Sequence, residues 1–590
     1  IDAGASGTST QGVMTLSGTL DNFSLDNQGT FIHNDGTVKI DFETPNYNSD
    51  SKIRCGTGDL YNLEVEMNRT SDAVKLSPSA GSVNQINNDL TVTKGECYIY
   101  NDNYSLVVSG AVDVAANGTF GNLGTYGANT IGAITIAAGG TFKATSADTI
   151  FNAFGGAPFA NAGTFTHNSG TLVYSGSAYD FGSGIIAYDV VSKTTAGTDG
   201  LRFQSPSSNP STILNSIYNA PSYRARFSSD GNSRIYLGDA DHQCTVINSG
   251  SRFRIQPSVN YTLEIYGGDE LKPFIWQGDA PEWNVSTART DRPTSFKWCD
   301  FKTNSVDLVT PGIANYVVAL DGTCEFAGFT ATSPDILDIN GEYASFSDAL
   351  DVNGSLYNTA GASDKKALLV GAGEISLAST NGPADLNIIQ DGGYLNLESG
   401  AEYNQIFIRE GTSTIGGTRD FKSPIIVGGR TNFGGQYSCG NIIIANGGIM
   451  DSTAKPTITT GSFSNRGGLF ASSSAFTFDG SSGLINAGAG SSIDDIFDGG
   501  GTIEGWINLD SSGEGTAARL VSKDAYFIYF HSLGQIRLQY TFDGVIGEWY
   551  TENYSFAYDS KWHHVAVTYD NSDVANDPSI YLDGKLMPLG

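Results

Sequence analysis

The sequence predicts an all-β chain, with elongated β-solenoid or β-helix-like repeats followed by a β-sandwich. Three observations lead there. Glycine supplies 73 of 590 residues while aromatics make up 11%, a composition that suits many short strands joined by tight turns. A Gly-Thr-Phe unit recurs at steps of 22 and 23 residues, at 118–120, 140–142 and 163–165. Near Ala471 the pattern changes to longer strands with large apolar side chains on both faces, as a strand between two sheets requires.

The length exceeds what one ordinary core holds, so several domains or a long repeat array is expected. Asp and Glu number 62 against 32 Lys and Arg, a formal charge of -30. A surface this acidic repels phosphates, which argues against a nucleic-acid partner. No run of 18 apolar residues marks a membrane span. The six cysteines, Cys55, Cys97, Cys244, Cys299, Cys324 and Cys439, form no CxxC pair, so a structural zinc site is not expected. The sequence begins Ile1-Asp2-Ala3-Gly4, without an initiator Met or a signal peptide.

Self-similarity organises the first two thirds. Residues 27–38, NQGTFIHNDGTV, return at 161–172 as NAGTFTHNSGTL, with eight of twelve positions identical. Within that block the Gly-Thr-Phe period matches the length of a solenoid coil, which buries its apolar side against its neighbours. β-branched runs at 386–389, 406–408, 425–427 and 442–444 keep a similar rhythm. Cys299-Asp300-Phe301 recurs as Cys324-Glu325-Phe326. Cys and Phe at i and i+2 share one strand face, so the two thiols stack if one coil separates them. Buried free thiols are the preferred reading, and a disulfide between them also fits the spacing of neighbouring strands. The expected domains are repeats over 1–195, an irregular or inserted β segment over 196–290, solenoid coils over 291–470 and a sandwich over 471–590.

The units at 27–38 and 161–172, with the strands at 61–65 and 90–92, resemble the β-strand repeat proteins of marine phage genomes and bacterial surface proteins. The C-terminal segment resembles a laminin-G-like module of the concanavalin A-like lectin/glucanase class. The residues that carry this are FTFDG at 476–480, GTIEGWI at 501–507, LVSK at 520–523, GQIRL at 534–538, KWHHVAVTYD at 561–570 and IYLDGK at 580–585. The family normally continues with further strands. The jelly roll is therefore expected to be incomplete at Gly590, with the natural polypeptide running on.

No catalytic residue is identified. The glucanases of this class carry Glu-x-Asp-x-x-Glu on one strand, whereas Glu504 stands alone beside Trp506. HExxH, GxSxG and P-loop motifs are absent. Adjacent His563 and His564 point to opposite faces of a strand and cannot easily share a metal, so both are read as packing residues. Trp549, Tyr550 and Tyr554 are the candidate carbohydrate-binding aromatics, with sheet packing as the competing reading. The resemblance implies a possible Ca²⁺ at a loop rim, for which the oxygen-rich loop offers Asp570, Asp573 and Asp577. Arg224, Arg226, Arg234, Arg252 and Arg254 are read as bridging to acidic neighbours, with a polyanion patch as the sharper alternative.

These readings converge on a non-enzymatic structural and adhesive protein. The first expectation is a virion-surface component such as a phage tail fibre, spike or capsid fibre. Its partners are then cell-surface glycans or a host receptor and other virion or surface subunits, in a homo-oligomer that is trimeric for a tail fibre. The alternative is an extracellular or bacterial cell-surface adhesin or matrix protein, and a weaker one is a polysaccharide-degrading spike.

Overall fold

The computed structural model describes residues 6–8, 11–19, 24–26, 30–43, 52–54, 60–77, 84–99, 105–122, 127–152, 156–176, 180–194, 200–258, 260–284 and 289–303. Between 306 and 486 it describes shorter pieces, and from 494 to 590 all but 495, 512–516, 553–557 and 574. Every named element among these residues is a strand, so the protein is all-β. The chain divides into two compact units, residues 1–406 with 411–414, and 407–410 with 415–590. The compact division thus falls near residue 410, ahead of the change from repeats to sandwich expected at 470.

In the first unit the strands pair parallel, each in register with a strand roughly one repeat later in sequence. The recurring Gly-Thr-Phe units stack directly: Phe120 lies opposite Phe142, and Phe142 opposite Phe165. Burial alternates along many of the strands. In Asn62–Glu66 the side chains of Leu63 and Val65 are buried, and in Leu90–Ile99 those of Leu90 and Val92 sit on them in register. The opposite face carries the charges, and Lys39 is held by Glu64 and Glu66 of the next strand.

Aromatic side chains form a continuous buried column. Phe203, Phe227, Phe253, Trp276, Phe301, Phe326 and Phe346 follow one another with ring centroids 4.9–5.5 Å apart, within the range at which aromatic pairs attract. Glycine is required where neighbouring strands crowd. A Cβ on Gly132 would run into the carbonyl oxygens of Ser109 and Gly110, one repeat earlier.

The duplicated block builds the same turn twice. Asn34 and Asp35 adopt φ of 46° and 57°, and Asn168 and Ser169 adopt 47° and 57°. In each copy the histidine Nδ1 accepts the backbone N–H two residues on, at 3.0 Å for His33 and 2.9 Å for His167. Each imidazole stacks on a tyrosine one repeat later, His33 on Tyr61 at 5.4 Å and His167 on Tyr188 at 5.5 Å. Residues 27–29 of the first copy lie outside the described residues.

The segment 196–290, expected to be irregular or inserted, carries regular parallel ladders. Arg224–Ser229 pairs with Arg252–Pro257, and Ser233–Leu237 with Leu263–Gly267. The repeat is longer here, 28 residues from Arg224 to Arg252 and 30 from Ser233 to Leu263. Its arginines bridge strand to strand: Arg234 to Glu264, and Arg252 and Arg254 to Glu282. Arg226 donates to Gln256 Oε1 at 2.9 Å. Cys299 and Cys324 face each other in register, as their spacing predicts. The five described cysteines are buried free thiols, and Cys55 lies outside the described residues.

In the second unit, parallel pairing joins Ile425–Val427 to the end of Gln436–Ile444, and that strand to Thr457–Asn465. From residue 501 the pairing is antiparallel and builds two four-stranded sheets. The first runs Gly501–Asn508, Trp562–Tyr569, Ser579–Leu582, Lys585–Leu586, and the second Ala517–Lys523, Tyr526–His531, Gln535–Phe542, Val545–Tyr550. Their inner faces share one core, with Val565, Val567, Tyr569 and Ile580 from one sheet and Tyr526, Ile528, Phe530 and Leu538 from the other.

Candidate functional site

Strand alternation settles which side chains of this module meet solvent. In Trp562–Tyr569 the set Val565, Val567 and Tyr569 is buried in the core, which turns Trp562, His564, Ala566 and Thr568 outward. The facing strand Gly501–Asn508 directs Ile503 and Ile507 toward the core and Glu504, Trp506 and Asn508 away from it. Register places Trp506 opposite His564, Asn508 opposite Trp562, and Glu504 opposite Ala566. Tyr581 continues the row beyond Ala566, and Leu586 lies beyond Tyr581.

The result is an open face with two exposed indoles, Trp506 at 65% and Trp562 at 50% of full accessibility. Between them the imidazole of His564 packs against Trp506 at 5.3 Å. Its Nε2 stands 3.7 Å from a carboxylate oxygen of Glu504. Apolar plates and hydrogen-bonding groups thus alternate on one flat surface.

His563 points the other way and does more than the packing expected of it. Its Nδ1 is 2.7 Å from Asp583 and its Nε2 3.0 Å from Asp559. Asp583 Oδ1 also accepts the backbone N–H of His564 at 2.8 Å. Asp583 sits at the tip of the last hairpin with φ of 51°, next to Gly584 at 77°, the positive values that a two-residue hairpin turn demands. The bond to Asp583, and then that to Asp559, holds the His563 pKa above its ordinary value, while both carboxyl groups are held below theirs by His563. The clamp ties the hairpin and the turn at 558–561 to the strand end that carries Trp562.

The aromatics expected to bind sugar are placed differently. Trp549 lies opposite Leu538 and packs inward against Tyr569 at 5.0 Å, and its Nε1 donates to Asp577 at 2.9 Å. Tyr550, the next residue, faces outward beneath the Arg537 guanidinium at 5.2 Å. Adjacent strand residues point to opposite faces, so these two cannot form one platform. Tyr554 lies outside the described residues. Trp506 and Trp562 were the residues to find. The alternation of 562–569 exposes them once the more apolar of its two faces is turned inward.

The oxygen-rich loop does not gather its carboxylates. Asp570 accepts the backbone N–H of Ser572 and Asp573 that of Ala575, each closing a local turn. Asp577 is taken up by Trp549. Among the described residues no group of three or more His, Cys, Asp or Glu side chains is placed to hold a metal ion. The Ca²⁺ site expected from Asp570, Asp573 and Asp577 is therefore not assembled, because each carboxylate is turned to its own backbone or indole partner.

Comparison with known proteins bears on this module. Residues 479–588 match the Laminin_G_3 family model, described as the concanavalin A-like lectin/glucanases superfamily. No curated protein and no solved structure matches the chain. The protein is an all-β chain whose C-terminal module is a concanavalin A-like, laminin-G-like domain.

Proposed function

We propose that this is a non-enzymatic structural and adhesive protein whose C-terminal module attaches to glycans on a cell surface. In this reading the parallel ladders are coils of a β-solenoid that serves as scaffold, and the module is its binding end. The observation that carries the proposal is the pair of exposed tryptophans on a lectin-class domain. Exposed indoles flanked by hydrogen-bonding groups suit an amphipathic sugar, whose C–H face stacks and whose hydroxyls bond. The setting is a virion surface, as in a tail or capsid fibre, with an extracellular or bacterial cell-surface adhesin as the second setting. The family match and the exposed indoles support both settings equally. Glycan-array binding by the full chain tests the attachment reading, and retention on one or more glycans is the expected result. A blank array, or release of reducing ends from a bound polysaccharide, would contradict it.

A further inference from the structure

We infer that the outward face of the first sheet, centred on Trp506 and Trp562, takes a neutral, extended oligosaccharide, which rests on the glycan-attachment reading above. Two indoles lie on neighbouring strands one step out of register, since Trp506 faces His564 and Trp562 faces Asn508. Diagonal neighbours of an antiparallel pair stand about 7–8 Å apart. That separation seats more than one pyranose ring, so the ligand is an oligomer rather than a single sugar.

The polar groups select its charge. Glu504 stands in the row beside Trp506, with the imidazole Nε2 of His564 3.7 Å away. A sulfate or carboxylate on the ligand would meet the Glu504 carboxylate in a chain of net charge -30. Hydroxyls, by contrast, donate to Glu504 and accept from a neutral or protonated His564. A purely apolar protein partner would cover the same indoles but strip water from the Glu504 carboxylate without replacing its hydrogen bonds, a cost that a sugar avoids.

On the outward face of the other sheet Tyr529 and Arg537 are both bonded to Glu548, and Arg519 covers Phe527 at 4.7 Å. Its exposed apolar side chain there is the aliphatic Ile546, and among the described residues the exposed indoles belong to the Trp506 side.

The test is titration of the full chain with cellohexaose, chitohexaose and heparin, for the parent and for Trp506→Ala, Trp562→Ala and Glu504→Gln. The expected result is binding of a neutral hexasaccharide by the parent, weakened at least about tenfold by each tryptophan substitution, which corresponds to about 1.4 kcal/mol. Each variant is expected to unfold at the parent temperature. Glu504→Gln should narrow the preference for neutral over sulfated glycan. Neutral-glycan binding unchanged in both tryptophan variants would overturn this site while leaving glycan attachment intact. Preference of the parent for heparin would overturn the charge argument. Failure of the parent to bind any array glycan would remove the attachment reading itself, and the site with it.

Discussion

Phe301, Phe326 and Phe346 stack in register with centroids 5.3 and 5.5 Å apart, buried among parallel strands. Trp506 and Trp562 also lie on neighbouring strands, yet half or more of each indole is exposed. The same chemical resource is spent in two ways. In the column each aromatic caps the one before it, so these rings are spent on the fold. In the module the core is filled by Tyr526, Phe530, Tyr569 and their neighbours, and the outward indoles stay half or more exposed. Where a strand places its aromatic therefore decides whether that aromatic holds the fold or meets another molecule.

The comparison can be broken most forcefully in the column. Phe326→Ala removes a buried ring with aromatic partners on both sides, and is expected to cost about 3–5 kcal/mol, read as an earlier denaturant midpoint. Trp549→Ala sharpens the contrast within the module. Trp549 is partly buried against Tyr569 and Phe542, so about 2 kcal/mol is expected from the lost area, with glycan binding retained. Retained stability with lost binding would return Trp549 to the site.

A smaller effect is expected from pH. The His563 pKa is raised above its ordinary 6.5 by Asp583 and Asp559. The clamp thus stabilises the module fully below about pH 6.5, and that contribution is lost as pH rises through the elevated value. Asp583 and Asp559 are held below their ordinary 3.8, so their share is present above that pH and lost as pH falls through the lowered values. Stability of the module is expected to be highest between about 3.8 and 6.5 for this cluster, and His563→Gln should flatten the alkaline limb of the melting-temperature profile. An unchanged limb would show that His563 is not clamped as charged imidazolium. Least affected of all should be the stability of Trp562→Ala, within about 0.5 kcal/mol of the parent.

Much of the ladder register was legible in advance. The Gly-Thr-Phe steps of 22 and 23 and the Cys299/Cys324 step of 25 reappear as in-register neighbours, because a fixed period is what stacked strands impose on sequence. The 196–290 segment escaped the same reading because its repeat lengthens to 28–30 residues, outside the period established upstream. Proximity in sequence groups Trp549 with Tyr550, but a strand separates such neighbours: Trp549 turns inward and Tyr550 outward. Composition groups the carboxylates of the 570–577 loop but is blind to turns that use Asp570 and Asp573 for their own backbone. Strand position alone reads His563 as a packing residue. Its partners Asp559 and Asp583 come from a turn and a hairpin on either side, which only the folded chain brings together.

The central claim is that the buried aromatics build the protein and the exposed ones bind. The most direct measurement is a paired one: thermal unfolding and neutral-hexasaccharide affinity for the parent, Phe326→Ala and Trp562→Ala. The account predicts that Phe326→Ala melts earlier but, while folded, binds as the parent does, and that Trp562→Ala melts with the parent but loses at least about tenfold in affinity. Loss of melting temperature without loss of affinity in Trp562→Ala would contradict it, since that indole would then belong to the fold and not to the binding face.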